Sequence, residues 1–168
     1  MVMENVKRIA RHLLMTHWRV GRAFPQDVLT TVEQAIATSE TNHIGQLCFV
    51  VEGALSLASL FQGLSARERA LEVFSQTRVW DTEHNNGVLI YLLLADRSVE
   101  IVADRGIHAK VGDPEWDTIC RAMEASFRGR QYRRGVITGI QAISQHLEQH
   151  FPCQPNKLNE LSDKPVLL

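Results

Sequence analysis

Seven apolar residues in succession, Val88-Leu89-Ile90-Tyr91-Leu92-Leu93-Leu94, limit what this chain can fold into more than any other feature. The polar stretch Trp80 to Asn86 and Gly87 precede them, and Asp96-Arg97 follows. A strand sends alternate side chains to opposite faces, so a strand with no polar position must be covered on both. Asp96-Arg97 then makes a tight turn into Ser98 to Ala103, an alternating strand with Val99, Ile101 and Ala103 on one side. The two segments read as a β-hairpin.

Helical segments surround this hairpin. Met3 to Met15 can form a short amphipathic helix with Val6, Ile9, Ala10, Leu13 and Leu14 on one side. Pro25 opens a second helix, at a position where its missing N–H costs nothing, with Val28, Leu29, Val32, Ala35 and Ile36 inward. Asn42-His43-Ile44-Gly45 breaks that helix, and Leu47 to Val51 follows as a strand. Leu57 to Gly63 is a connection with room for a helical turn. Ser65 and Glu68 form a capping box for a helix that runs out near Arg78. Asp104-Arg105-Gly106 leaves the sheet, and Asp113, as N-cap before Pro114, opens a helix striped with Trp116, Ile119, Cys120, Met123 and Phe127. Gly129 stops it. A last helix covers Arg133 to His150, and Gly135 and Gly139, one turn apart, predict close packing against a neighbour.

This order predicts a mixed sheet covered on both faces, an α/β fold. The chain divides into a basic helical arm (1–24), an α/β domain (25–151) and an irregular tail (152–168).

With 168 residues the chain has the size of one domain, and its formal net charge of -1 supplies no basic footprint for nucleic acid. Cys48, Cys120 and Cys153 include no close pair, which argues against a disulfide framework or a zinc knuckle. The N-terminal residues have no apolar core of a secretory signal, and no apolar run is long enough to span a bilayer. The expected location is cytoplasmic. The first 22 residues carry five Lys/Arg against one acid, Glu4. This arm suits either peripheral contact with a membrane surface or a helix that packs on the domain and leaves its charges in water; its short length favours the second.

At this point the motifs resemble a family. Asn85-Asn86-Gly87-Val88-Leu89-Ile90, Asp96-Arg97, Val99-Glu100-Ile101 and Asp104-Arg105-Gly106 are similar to the core signature of TPM-domain proteins. Asp113, Phe127-Arg128-Gly129, Tyr132 and the Gly135 to Gly139 stretch extend the resemblance, which runs from about Pro25 to Phe151. It implies a three-layer α/β/α sandwich with a small mixed sheet. The family includes a thylakoid-lumen protein tied to photosystem repair and membrane-anchored bacterial relatives. Calcium binding is reported for some members, and weak acid-phosphatase activity has been proposed for the plant one. This chain departs by its basic arm, by lacking a signal peptide and membrane-spanning tail, and by Ile44 before Gly45-Gln46, where threonine is common.

The candidate site is the loop before the central strand. A hard cation such as Ca²⁺ takes roughly six to eight oxygens from carboxylates, amides, backbone and water. Asp81, Glu83, Asn85 and Asn86 supply that ligand type. Asp104 ends the antiparallel partner strand and returns to the loop's side, which makes it the best distant ligand, with Asp113 next. The competing reading is an ordinary Asx-rich turn whose side chains bond their own backbone.

The expected function is thus a non-enzymatic divalent-cation-binding or protein-interaction module in membrane-protein assembly or quality control, with an unidentified protein partner. The alternative is a metal-dependent phosphatase at the same loop. For it, Arg78, Arg97 and Arg105 could meet phosphoryl oxygens, and His84 or His108 could protonate a leaving group. No Cys-x5-Arg loop, Walker loop or Asp-x-Asp start is present. His146 and His150 are spaced like a two-histidine metal site but lack a third ligand, and suit a helix C-terminus instead.

Overall fold

A computed structural model describes residues 2–155 and 158–168; Met1, in the expected arm, and Asn156 and Lys157, in the expected tail, lie outside it. The chain runs α1 (Val2–Leu13), α2 (His17–Ala23), α3 (Gln26–Ser39), β1 (Gln46–Glu52), α4 (Leu57–Phe61) and α5 (Ala66–Gln76). It continues through β2 (Gly87–Leu93), β3 (Ser98–Ala103), α6 (Arg105–Val111), α7 (Asp113–Arg128), α8 (Tyr132–His150) and β4 (Val166–Leu167). The fold is α/β, with helices on both faces of a mixed sheet ordered β3-β2-β1-β4. β1 runs parallel to β2 and β4, and β2 and β3 form the antiparallel hairpin.

Every residue of β1 and β2 is buried. Leu47, Phe49, Val51, Val88, Ile90 and Leu92 point into a core with α3, α7 and α8, while Cys48, Val50, Leu89, Tyr91 and Leu93 point into a second core with α4 and α5. The two-residue period divides one apolar run between two cores. α7 and α8 touch closely: a Cβ on Gly135 would come within 2.5 Å of the Phe127 ring, and one on Gly139 would overlap the Met123 sulfur.

Four features differ from the sequence reading. The tail, expected to be irregular from Pro152, returns to the sheet. Glu160 and Leu161 donate their N–H groups to Gln46 Oε1, and β4 pairs with the free edge of β1. α6 had no counterpart in the reading, and Asp104 caps it by accepting the Arg105 N–H at 2.7 Å. Asp113 is the first residue of α7; the cap position is Gly112, at φ 85.

The fourth difference is α1, which is inverted. Arg8 and His12 turn inward, and Met3, Val6 and Leu13 turn outward. Arg8 Nε donates to Asp96 Oδ2 at 2.9 Å, Arg8 NH2 donates to the Leu64 carbonyl at 2.8 Å, and Arg11 reaches Asp96 at 3.5 Å. His12 is buried, with Nδ1 accepting the Leu55 N–H at 3.0 Å. Its proton therefore sits on Nε2, 3.1 Å from Asp96 Oδ1. Met3, Val6, Leu13 and Leu14 are left in solvent. Among the described residues no helix is long and apolar enough to cross a membrane.

Candidate functional site

The polar loop before β2 is built on backbone bonds at the rim of the sheet. Asn85 adopts φ 52, a left-handed conformation that asparagine tolerates better than most residues. The Thr82 hydroxyl, buried inside the loop, accepts the Asn86 N–H at 3.1 Å, and Asn86 Nδ2 donates to the Ile44 carbonyl at 3.1 Å. Asn86 thereby ties the start of β2 to the approach to β1. On the other side, the Asp104 N–H donates to the Gly87 carbonyl at 2.8 Å, and the Ile107 N–H to the Asn85 carbonyl at 3.2 Å. The first turn of α6 therefore lies against the loop. Gly106 permits this approach, since a Cβ there would come 2.5 Å from the Asn85 carbonyl oxygen. Gly87 serves likewise: its φ is not positive, and what it avoids is a clash with the Val79 carbonyl.

The candidate residues separate into three groups. Asn86 and Asp104 flank Gly87 at this rim, both buried, and each keeps one oxygen without a hydrogen-bond partner among the described residues: Asn86 Oδ1 and Asp104 Oδ2. Asn85 is at the same rim, but its Oδ1 accepts Arg105 Nε at 2.9 Å. Asp81 and Glu83 are exposed, with no hydrogen bond from either carboxylate among the described residues. The Glu83 N–H donates to Glu160 Oε2 at 3.0 Å, so the tail closes over this loop.

Asp113 belongs elsewhere. Its carboxylate faces His108 at 3.8 Å, in a cavity of about 440 Å³ shared with Glu100, Asp117 and Cys120. Burial raises the Glu100 carboxyl above its ordinary range, and Arg67 pulls the other way. Among the described residues no cluster of three or more His, Cys, Asp or Glu side chains has the geometry to hold a metal. The unpartnered buried oxygens at the rim are one from a carboxylate, Asp104, and one from an amide, Asn86.

Two of the arginines considered for phosphate chemistry lie at opposite ends of β2. Arg105 is bound to Asn85, while Arg97 sits in the hairpin turn at the far end of β2. The His146 ring packs edge-on to Trp116 at 5.7 Å, a structural contact. Sequence reading missed Thr82 and Gly106. A threonine inside an Asx-rich loop signals a bond to its own backbone, whereas Gly106 becomes intelligible only once α6 is known.

Comparison with known proteins agrees with this architecture. A family model described as TPM domain matches residues 22–146. Among solved structures, the BA42 protein of the psychrophilic bacterium Bizionia argentinensis is similar at 26% identity and TM-score 0.74, over 84% of this chain and 93% of that one. The N-terminal domain of a P. gingivalis protein shares the fold at 19% identity and TM-score 0.61, over 77% of this chain and 82% of that one. A search of curated proteins gives no match. A matched span that includes the hairpin, the rim loop and the α7–α8 pair establishes that the chain belongs to the TPM domain family.

Proposed function

We propose that the chain is a divalent-cation-binding module whose ion sits at the sheet rim and braces the loop against α6. The observation that supports this is the pair of buried, unpartnered oxygens, Asn86 Oδ1 and Asp104 Oδ2, on either side of Gly87. Buried oxygens, a carboxylate oxygen above all, are costly without a donor or a cation. Asp104 would supply the charge, Asn86 a neutral oxygen, and Asp81 or Glu83 a swing-in carboxylate, the ligand types that suit Ca²⁺. Braced in this way, the loop and the tail over it would form a surface for a protein partner. Three unpaired cysteines suit a reducing compartment, in keeping with a cytoplasmic site of action.

The test is a calcium titration followed by thermal unfolding and by amide NMR shifts of Asn85 to Gly87 and Arg105. Calcium at about a hundred times its Kd should add about 2.7 kcal/mol. That corresponds to a Tm rise of roughly 5–10 °C for a chain of this size. Asp104→Asn, which keeps the cap acceptor and removes the charge, should abolish the rise. Absence of both the thermal and the NMR response would end this reading. Metal-dependent hydrolysis of a phosphomonoester, lost in Asp104→Asn, would transfer the site to the phosphatase alternative.

A further inference from the structure

The end of the sheet opposite the rim carries a concentration of positive charge that the net charge of -1 conceals. Two adjoining grooves share Arg22, Ala23, Arg130 and Tyr132 as lining. Together they add Arg19, Arg97, Arg133 and Arg134, and no carboxylate lines either groove. The second groove, of about 570 Å³, holds Trp18 and Met15 beside Arg19, Arg22, Arg97 and Arg130. All six arginines are exposed. Among the described residues the arginine ion pairs are those of Arg8, Arg11, Arg67, Arg69 and Arg128, so these six share none.

Two of the six are held in an unfavourable backbone conformation. Arg97 has φ 54 and Arg130 has φ 57, both left-handed. At the end of α7 the neighbouring Gly129 takes φ -81, so the left-handed position falls to an arginine beside an available glycine. Strain of this kind concentrates where a side chain must be presented in a set direction. Here the Arg97 and Arg130 side chains line the same groove.

The neighbouring surface is apolar. Trp18 is 68% exposed, with Arg22 stacked over its ring at 5.3 Å. Leu13 and Leu14, just before it in the chain, are 62% and 61% exposed. Arginines that lack carboxylate partners, an indole with one polar edge, and leucines in water together match a surface with anionic phosphate above and hydrocarbon beneath.

We propose that this face docks on an anionic phospholipid bilayer, with lipid phosphates in the arginine grooves and Trp18, Leu13 and Leu14 in the interfacial layer. Within α1, Arg8 is bound to Asp96 and to the Leu64 carbonyl and His12 is buried against Leu55, and this is what turns the leucines outward. A soluble polyanion such as RNA would satisfy the arginines but leave the leucines uncovered, and the bilayer is therefore the occupant that accounts for both.

Flotation of the full chain with vesicles of phosphatidylglycerol and phosphatidylcholine, against phosphatidylcholine alone, tests this. Binding should appear only with the anionic lipid and fall with salt. It should also shift Trp emission to the blue in the wild type but not in Trp18→Phe. Each arginine removed should weaken partitioning about five-fold, so Arg22→Gln with Arg130→Gln should weaken it by roughly twenty-five-fold. Leu13→Ser with Leu14→Ser should weaken it too, at unchanged charge. All of these side chains are exposed, and circular dichroism verifies folding. Failure to bind anionic vesicles overturns the proposal, as does binding indifferent to the leucine variant. Tight binding of inorganic phosphate or an oligonucleotide without flotation assigns the grooves to a soluble anion instead.

Discussion

Asp96→Ala should release helix α1 while the sheet stays folded. The Asp96 carboxylate is only 13% exposed; Arg8 Nε donates to its Oδ2 at 2.9 Å, and His12 Nε2 lies 3.1 Å from its Oδ1. Arg11, at 3.5 Å and 56% exposed, adds little. A hydrogen bond to a charged group contributes about 1.5–3 kcal/mol, and Arg8 Nε supplies the short one here, while His12 Nε2 lies close without hydrogen-bond geometry. Arg8 keeps its bond to the Leu64 carbonyl in the variant, so the lower part of that range applies. Among the described side chains of α1, Ile9 is the apolar one packed on the second core, beside Arg8 and His12, so apolar packing does little to replace the loss. A loss of about 1.5–2 kcal/mol corresponds to roughly a ten- to thirty-fold fall in amide protection. Hydrogen exchange by NMR reads this directly. Amides in the second half of α1 should lose protection, those of β2 should keep it, and Asp96→Asn, which retains an acceptor, should fall between. Unchanged protection in α1 would refute the reasoning, because it would mean that the outward residues and Ile9 hold the helix.

Three further predictions concern the cores. Burial pushes Cys48 from 9.0 up to about 11, against a hydrogen bond from Thr77, and pushes Cys120 up to about 12. Near neutral pH, therefore, a thiol reagent should modify Cys153 rapidly and the other two only on unfolding. Because these folded values are raised, the stability from both thiols is full below pH 9.0 and fades as pH climbs through about 11 and about 12. Glu100 is also raised, by burial, so its contribution is full below the ordinary 4.5 and is lost as pH rises through its folded value. Glu100→Gln should then stabilise the protein in urea near neutral pH and not in acid; an equal effect at both would refute the assignment. Gly87→Ala places a Cβ on the Val79 carbonyl, a backbone atom that cannot give way alone, and should cost about 3 kcal/mol or more in urea unfolding.

The sheet was legible because its signal is local. The β2 run and the β3 alternation each fit one strand geometry, and the Ser65–Glu68 capping box is complete within four residues, with both reciprocal bonds formed. Elements that depend on distant partners were not legible. The apolar period of α1 showed that the helix has two faces but not which one meets the protein; Asp96, 88 residues from Arg8, decides that. β4 is two residues long and exists because β1 has a free edge. α6 carries little apolar signal beyond Ile107 and Val111, and its glycine suggested a turn. The site was legible in part. Asn86 and Asp104 reach the same rim because the hairpin register joins Gly87 to Asp104, whereas Asp113 is carried away by the intervening α6. Net charge was uninformative about surfaces: the six groove arginines come from three separate stretches, and only the fold adds them together.

The topology also keeps the two proposed activities apart. β2 starts at the rim, beside Asn86, and ends at the hairpin turn, where Asp96 anchors α1 and Arg97 lines the arginine groove. Seven extended residues separate these ends, roughly 20 Å at the usual rise per residue. This is beyond the ~8–10 Å over which exposed charges act at physiological salt. A cation at the rim therefore leaves the potential at the groove unchanged, and any coupling would have to pass through a rearranged sheet that is packed on both faces. Asp104→Asn should remove the calcium response and leave vesicle binding as it was. Arg22→Gln with Arg130→Gln should do the reverse. If either variant lost both, the two ends would have to move together, and β2 would be transmitting a change that its burial argues against.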